Sequence, residues 1–124
     1  MITEDYVSFE TAKLLKEKGF NEKCGPYYIL NGTLINGVII EGKHNVHENN
    51  FSAPTIQMAM KWLREEKGVA VIPVLSSVLD NEKFLWDINI VVAETNDTYS
   101  QGWVYEKQED ACEAAIKYCL ENLI

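Results

Sequence analysis

The chain has 124 residues, 47% hydrophobic and 10% aromatic, and carries a formal charge of -8 from 19 acids against 11 bases. This length and apolar content exclude a disordered polymer and a miniprotein that depends on metal or disulfide, and they give a single domain over residues 1–124. With Arg64 as the sole arginine, the acidic balance argues against gripping nucleic acid by its phosphates or docking on an anionic membrane, which leaves another protein, or self-association, as the expected partner class.

The first residues, Met1 to Asp5, are acidic and lack the basic and apolar regions of a secretory signal, so the expected compartment is the cytoplasm. Ser8 is a good N-cap for a helix running from Phe9 to Lys18, with Phe9, Ala12 and Leu15 on one stripe. Gly19 stops it, and the pair Leu15 and Phe20 has the spacing of a Schellman ending.

Tyr27 to Leu30, Asn31-Gly32 and Thr33 to Ile35 read as a hairpin, because Asn-Gly suits a type I′ turn. A second Asn-Gly at Asn36-Gly37 precedes Val38-Ile39-Ile40 and marks either a bulge or another turn. From Glu41 to Asn50 the chain is polar without periodicity, and reads as a loop.

The stretch from Ala53 to Gly68 is the strongest helix. Ile56, Ala59, Met60 and Leu63 recur at i, i+3, i+4 and i+7, and Trp62 with Met58 widens the stripe until it needs a sheet to cover it. Ala53 and Thr55 are both candidate N-caps; Gly68 ends the helix. Val69 to Leu75 reads as a buried strand in which Pro73 removes one ladder donor, favouring an edge or a bulge. The run Gly68 to Leu79 holds no charge, yet it falls short of the ~20 residues a membrane helix needs.

Asp80 to Lys83 makes a turn, and Phe84 to Ala93 is the clearest strand, with Trp86, Ile88, Ile90 and Val92 on one face. Thr95 to Thr98 turns it again, and Gly102 to Tyr105 is the expected third strand of the meander. Gln108 to Ile124 closes the chain as a helix whose stripe is Cys112, Ala115, Ile116, Cys119, Leu120 and Leu123. The predicted class is α+β: an antiparallel sheet, hairpin plus three-strand meander, with helices mainly on one face in the order α-β-β-α-β-β-β-α.

Chemistry is sparse. His44 and His47, flanked by Glu41 and Glu48, form a His-x-x-His loop; His44, His47 and Glu48 are the only candidates for a divalent metal, and no third ligand has a fixed spacing. The three cysteines cannot all pair. Cys112 and Cys119 lie about 10 Å apart along a helix, beyond disulfide reach, and Cys24, outside the helices, is the thiol expected to be most exposed. No catalytic constellation and no phosphate-cradling glycine pattern is present, so no cofactor is expected. Tyr27, Tyr28, Trp103 and Tyr105 lie on hairpin or edge segments and are the candidate partner-binding residues, since Tyr and Trp anchor protein interfaces.

Residues Tyr6 to Phe20, Ala53 to Glu65 and Ala111 to Ile124 resemble a family of small proteins encoded in Bacteroides genomes and in their phages and prophages. No activity, cofactor or catalytic residue is assigned to that family. The resemblance implies context only: an intracellular accessory protein of a bacterium or its mobile elements. Three functions stand as expectations: a non-enzymatic protein-binding module; a small metal-dependent hydrolase using His44, His47 and Glu48; and an acidic mimic of DNA.

Overall fold

The structure is a computed structural model that describes residues 2–36, 41–79, 83–100, 102 and 104–124. The expectations at Gly37 to Ile40, Asp80 to Glu82 and Trp103 lie outside the described residues.

Helix α1 (Phe9–Glu17) starts where expected: the Ser8 hydroxyl accepts from the Thr11 amide at 3.2 Å. Its end is a Schellman turn. Gly19 takes φ 94, its amide donates to Lys16 O, and the Phe20 amide donates to Leu15 O at 2.9 Å, with Leu15 and Phe20 both buried. Strands β1 (Tyr27–Tyr28) and β2 (Leu34–Ile35) form the predicted antiparallel hairpin. Its turn is not type I′, because only Gly32 has positive φ. The Gly32 amide donates to Ile29 O, and Gly32 takes the left-handed position that closes a longer loop. A further strand, β3 (Phe51–Ser52), pairs with β1 on its other side, where sequence gave no periodicity to find it.

Helix α2 (Ile56–Lys67) is capped by Thr55, not Ala53: the Thr55 hydroxyl accepts from the Met58 amide at 3.1 Å. Ile56, Ala59, Met60, Trp62 and Leu63 are buried, whereas Met58 faces solvent and does not widen the stripe. Gly68, at φ 65, is the only residue between α2 and strand β4 (Val69–Leu79). Strand β5 (Lys83–Val92) pairs with β4, and β6 (Asp97–Ser100) pairs with β5. The third strand of the meander therefore lies earlier than expected. Asn96 accepts φ 59 and its amide donates to Val92 O, which tightens the turn enough for Asp97 to start the strand; Tyr105 forms only an isolated bridge to Trp86.

Helix α3 (Gln108–Asn122) buries Cys112, Ala115, Ile116, Cys119 and Leu120 of the predicted stripe, and Ala111 with them, whereas Leu123 lies past the helix end and is half-buried. The fold is α+β, with its strands divided between two antiparallel sheets, β2-β1-β3 and β4-β5-β6. Helices α2 and α3 pack on the larger sheet, and their stripes meet Val69, Val71, Ile88 and Ile90. Phe20 closes one side of this core with its ring edge-on to Trp62, 5.4 Å between centroids. Among the described residues no helix is long and apolar enough to cross a membrane.

Candidate functional site

The register of β4 on β5 puts Val69, Val71, Pro73 and Leu75 on the same sheet face as Val92, Ile90, Ile88 and Trp86, and Val78 on that face opposite Phe84. Along this one row the cover disappears. Val69 and Ile90 are 1% and 0% exposed, whereas Leu75, Val78 and Phe84 are 48%, 47% and 56% exposed. Length explains the gradient. The 11 residues of β4 span about 36 Å at the usual strand rise, and the longest helix, the 15 residues of α3, spans about 22 Å.

The uncovered part of the ribbon is an arm. Trp86 is half-buried, meets Phe84 edge-on at 6.3 Å, and exchanges both backbone hydrogen bonds with Tyr105 at 2.7 and 2.9 Å. On the opposite face exposed Ile72 and half-buried Val74 and Leu85 pair with Asn89, Asp87 and Ser77, so that face is mixed in polarity.

The free edge of the arm is blunted. Because Trp86 turns its N–H and C=O toward Tyr105, alternation turns those of Asp87, Asn89 and Val91 toward β4, where they meet Val74, Ile72 and Ala70. Pro73 then faces the open edge, where it offers an added strand a carbonyl acceptor but no donor. A bulge between Leu75 and Ser77 breaks the edge again. Both devices oppose edge-to-edge pairing. Contact is left to the faces.

The aromatic candidates fall in different places. Tyr27 stacks on the His44 ring at 4.4 Å, and Tyr28 donates its hydroxyl to Val7 O at 2.6 Å while its ring leans on Phe9. Burial, helped by the Glu113 charge, raises the Tyr28 phenol above its ordinary value. Tyr105 flanks the arm, and burial with Asp110 and Asp87 nearby raises it too. Tyr27 and Tyr28 thus belong to the small sheet, Tyr105 to the large one. Phe84, Leu75 and Val78 went unmarked in the sequence because strand periodicity reads identically whether or not a helix reaches it.

The His loop is arranged for structure. Residues His44–Val46 form a short 3-10 turn, and His44 Nε2 lies 2.8 Å from Cys24 O and 3.1 Å from Gly25 O, so it carries the proton and donates. His47 and Glu48 are exposed. Among the described residues no three His, Cys, Asp or Glu side chains gather as metal ligands.

All three cysteines are free and buried, including Cys24, which contradicts its expected exposure. Burial pushes the Cys112 thiol up to about 11, the Cys119 thiol up to about 12, and the Cys24 thiol above its ordinary value. Each is therefore held as the neutral thiol, the weaker nucleophile.

Acidic side chains do gather at one place. Glu4, Asp5, Glu109, Asp110 and Glu113 line a groove of about 410 Å³. Glu113 has a structural role there: its Oε1 accepts from the Ser8 amide at 2.9 Å and the Thr11 hydroxyl at 2.7 Å, which fastens the start of α1 to α3. The acids of Glu109 and Asp110 suit the positive end of α3. Compared with protein-family models, with curated proteins and with solved structures, the chain has no match.

Proposed function

We propose that this chain is a non-enzymatic protein-binding module, an accessory protein of a bacterial cell or of its phages, that docks another protein on the β4–β5 arm. The observation that carries this reading is the row Leu75, Val78, Phe84 and Trp86, which continues the core face of the sheet past the helices into solvent. Exposed contiguous apolar surface of this kind marks interaction sites on folded domains. Aromatic anchors such as Phe84 and Trp86 are the residue types that dominate binding energy when a partner desolvates them.

Several of the groups that an enzyme would need are otherwise engaged. His44 is committed to two carbonyls, the thiols are neutral and buried, and Glu113 fastens the start of α1 to α3.

A photo-crosslinking residue in place of Phe84, compared with one in place of Glu66 on the solvent side of α2, tests the reading in lysate of the host bacterium. One discrete adduct from position 84 that is absent from position 66, and that is lost when Leu75 is replaced by Asp, supports it. No adduct from position 84, together with a monomer at all concentrations, overturns it.

A further inference from the structure

The helical layer of the large sheet stops before the sheet does. Where β4, β5 and β6 lie side by side, α2 and α3 cover the row that holds Val69, Val71, Ile88 and Ile90. Beyond Trp86 the sheet narrows to β4 and β5, and the same row runs on as Leu75, Val78 and Phe84, each about half exposed. Two adjacent strands are about 10 Å across, the width of a single helix. From Leu75 to Leu79 the arm is about 16 Å long, a distance that about three turns of helix span.

The size of this patch decides against a second copy of the folded chain as its cover. Leu75, Val78 and Phe84 together offer roughly 300 Å² of apolar area, against the ~800 Å² per partner that a stable pair of folded proteins buries. Two copies would also each bring a charge of -8 to the contact. A lone helix asks for less surface, because its whole apolar stripe can face the arm.

Charge decides what the margins of that helix carry. Strand β4 holds no charged residue, and β5 holds Lys83 and Asp87. Glu106 answers Lys83 at 3.9 Å, while Asp110 and Asp87 stand close enough to Tyr105 to raise its phenol further than burial alone does. Between residues 106 and 110 three acids outnumber one base, Lys107. The flank of the arm is therefore acidic, like the chain as a whole, so lysine or arginine beside the apolar stripe of a guest is favoured and acids are repelled. We infer that the arm receives one short amphipathic helix of another protein, about three turns long with basic margins, seated in the layer that α2 and α3 form. This rests on the reading of the chain as a protein-binding module and adds the class of its partner.

Three fluorescein-labelled peptides of about 14 residues are the probes: leucine and lysine with leucines at i, i+3, i+4 and i+7, the same composition in strict alternation, and leucine and glutamate in the helical pattern. By fluorescence anisotropy the native chain should bind the helical leucine-lysine peptide at least about tenfold more tightly than either of the others. Leu75→Asp should weaken that binding by about tenfold or more, although its new carboxylate attracts a basic peptide, and Met58→Asp on the solvent side of α2 should not weaken it. Val78→Asp takes the place of Leu75→Asp if that variant does not fold. The inference is overturned if the alternating or the acidic peptide binds as tightly as the basic helix, or if the folded Asp variant on the arm binds it within about twofold of the native chain. Its failure is separable from that of the underlying reading. A discrete lysate adduct from position 84 without preference for the basic helix keeps a docking arm and overturns the helix; capture of the basic helix with no lysate adduct supports the helix and removes the host partner.

Discussion

The two ends of the β4–β5 ribbon have nearly the same chemistry and opposite fates. Val69, Val71, Ile88 and Ile90 are sealed under α2 and α3, whereas Leu75, Val78 and Phe84, on the same face, stand about half in water. Alternation within a strand decides which residues share a face; only the reach of the neighbouring helices decides whether that face is core or surface. A stripe of Val, Ile, Leu and Phe is therefore not by itself a statement of burial.

Substitutions at matched positions break or sharpen this contrast. The largest effect belongs to the covered end: Ile90→Ala should cost about 2–4 kcal/mol in urea unfolding, because it deletes fully buried methylenes and leaves a cavity between β5 and the helices. A loss below about 1 kcal/mol would mean that the covered end is packed loosely after all.

Next comes a pH effect confined to the covered end. The Cys112 and Cys119 thiols are raised by burial to about 11 and about 12, so the unfolded chain releases these protons first as pH rises past the ordinary value near 9. Their contribution is complete below about pH 9 and is lost as pH climbs toward 11–12. The double variant Cys112→Ala, Cys119→Ala should give urea midpoints that fall less steeply above pH 9 than those of the native chain. Some slope will persist, because Tyr28 and Tyr105 are raised as well. An unchanged slope would remove the thiols from the account.

At the uncovered end, Phe84→Ser should change stability by less than about 1 kcal/mol in urea unfolding. A loss as large as that of Ile90→Ala would show that Phe84 is core, and the contrast would fail. The smallest effect is expected off the ribbon altogether. Glu10 is paired with Lys117 at 2.9 Å, and the hydrogen bond and charge of Lys117 lower its carboxyl, so its contribution is present above the ordinary carboxylate value and lost on acidification. The pair is exposed, so Glu10→Gln should shift the urea midpoint at low salt only, and not at high salt.

Local signals in the chain were legible where a residue's own geometry settles the matter. Ser8, Gly19 with Phe20, and Gly68 each impose a start or stop that needs no tertiary partner, and all of them act as the sequence suggests. The stripes of α2 and α3 were legible because 3.6-residue periodicity survives any packing. What stayed hidden depends on distant partners. Strand β3 has two residues and exists only because Tyr27 and Tyr28 lie beside it. Cys24 is buried by the turn from Gly42 to His44, about twenty positions away. Glu113 looks like one more solvated acid until α1 arrives to place Ser8 and Thr11 against it. Of the candidate partner-binding residues, Tyr105 flanks the arm. Phe84 and Leu75, its main exposed anchors, carry no mark that distinguishes them from core.

Gly68 gives the arm its mechanical character. It alone separates the last turn of α2 from the first residue of β4, and its carbonyl accepts the Ala93 amide at 2.9 Å, clamping the far end of β5 to the same point. With no slack between helix and ribbon, the arm is a stiff lever welded to the domain at its base. A guest seated on it meets a platform already in position, and little of the free energy of capture is spent on ordering the host.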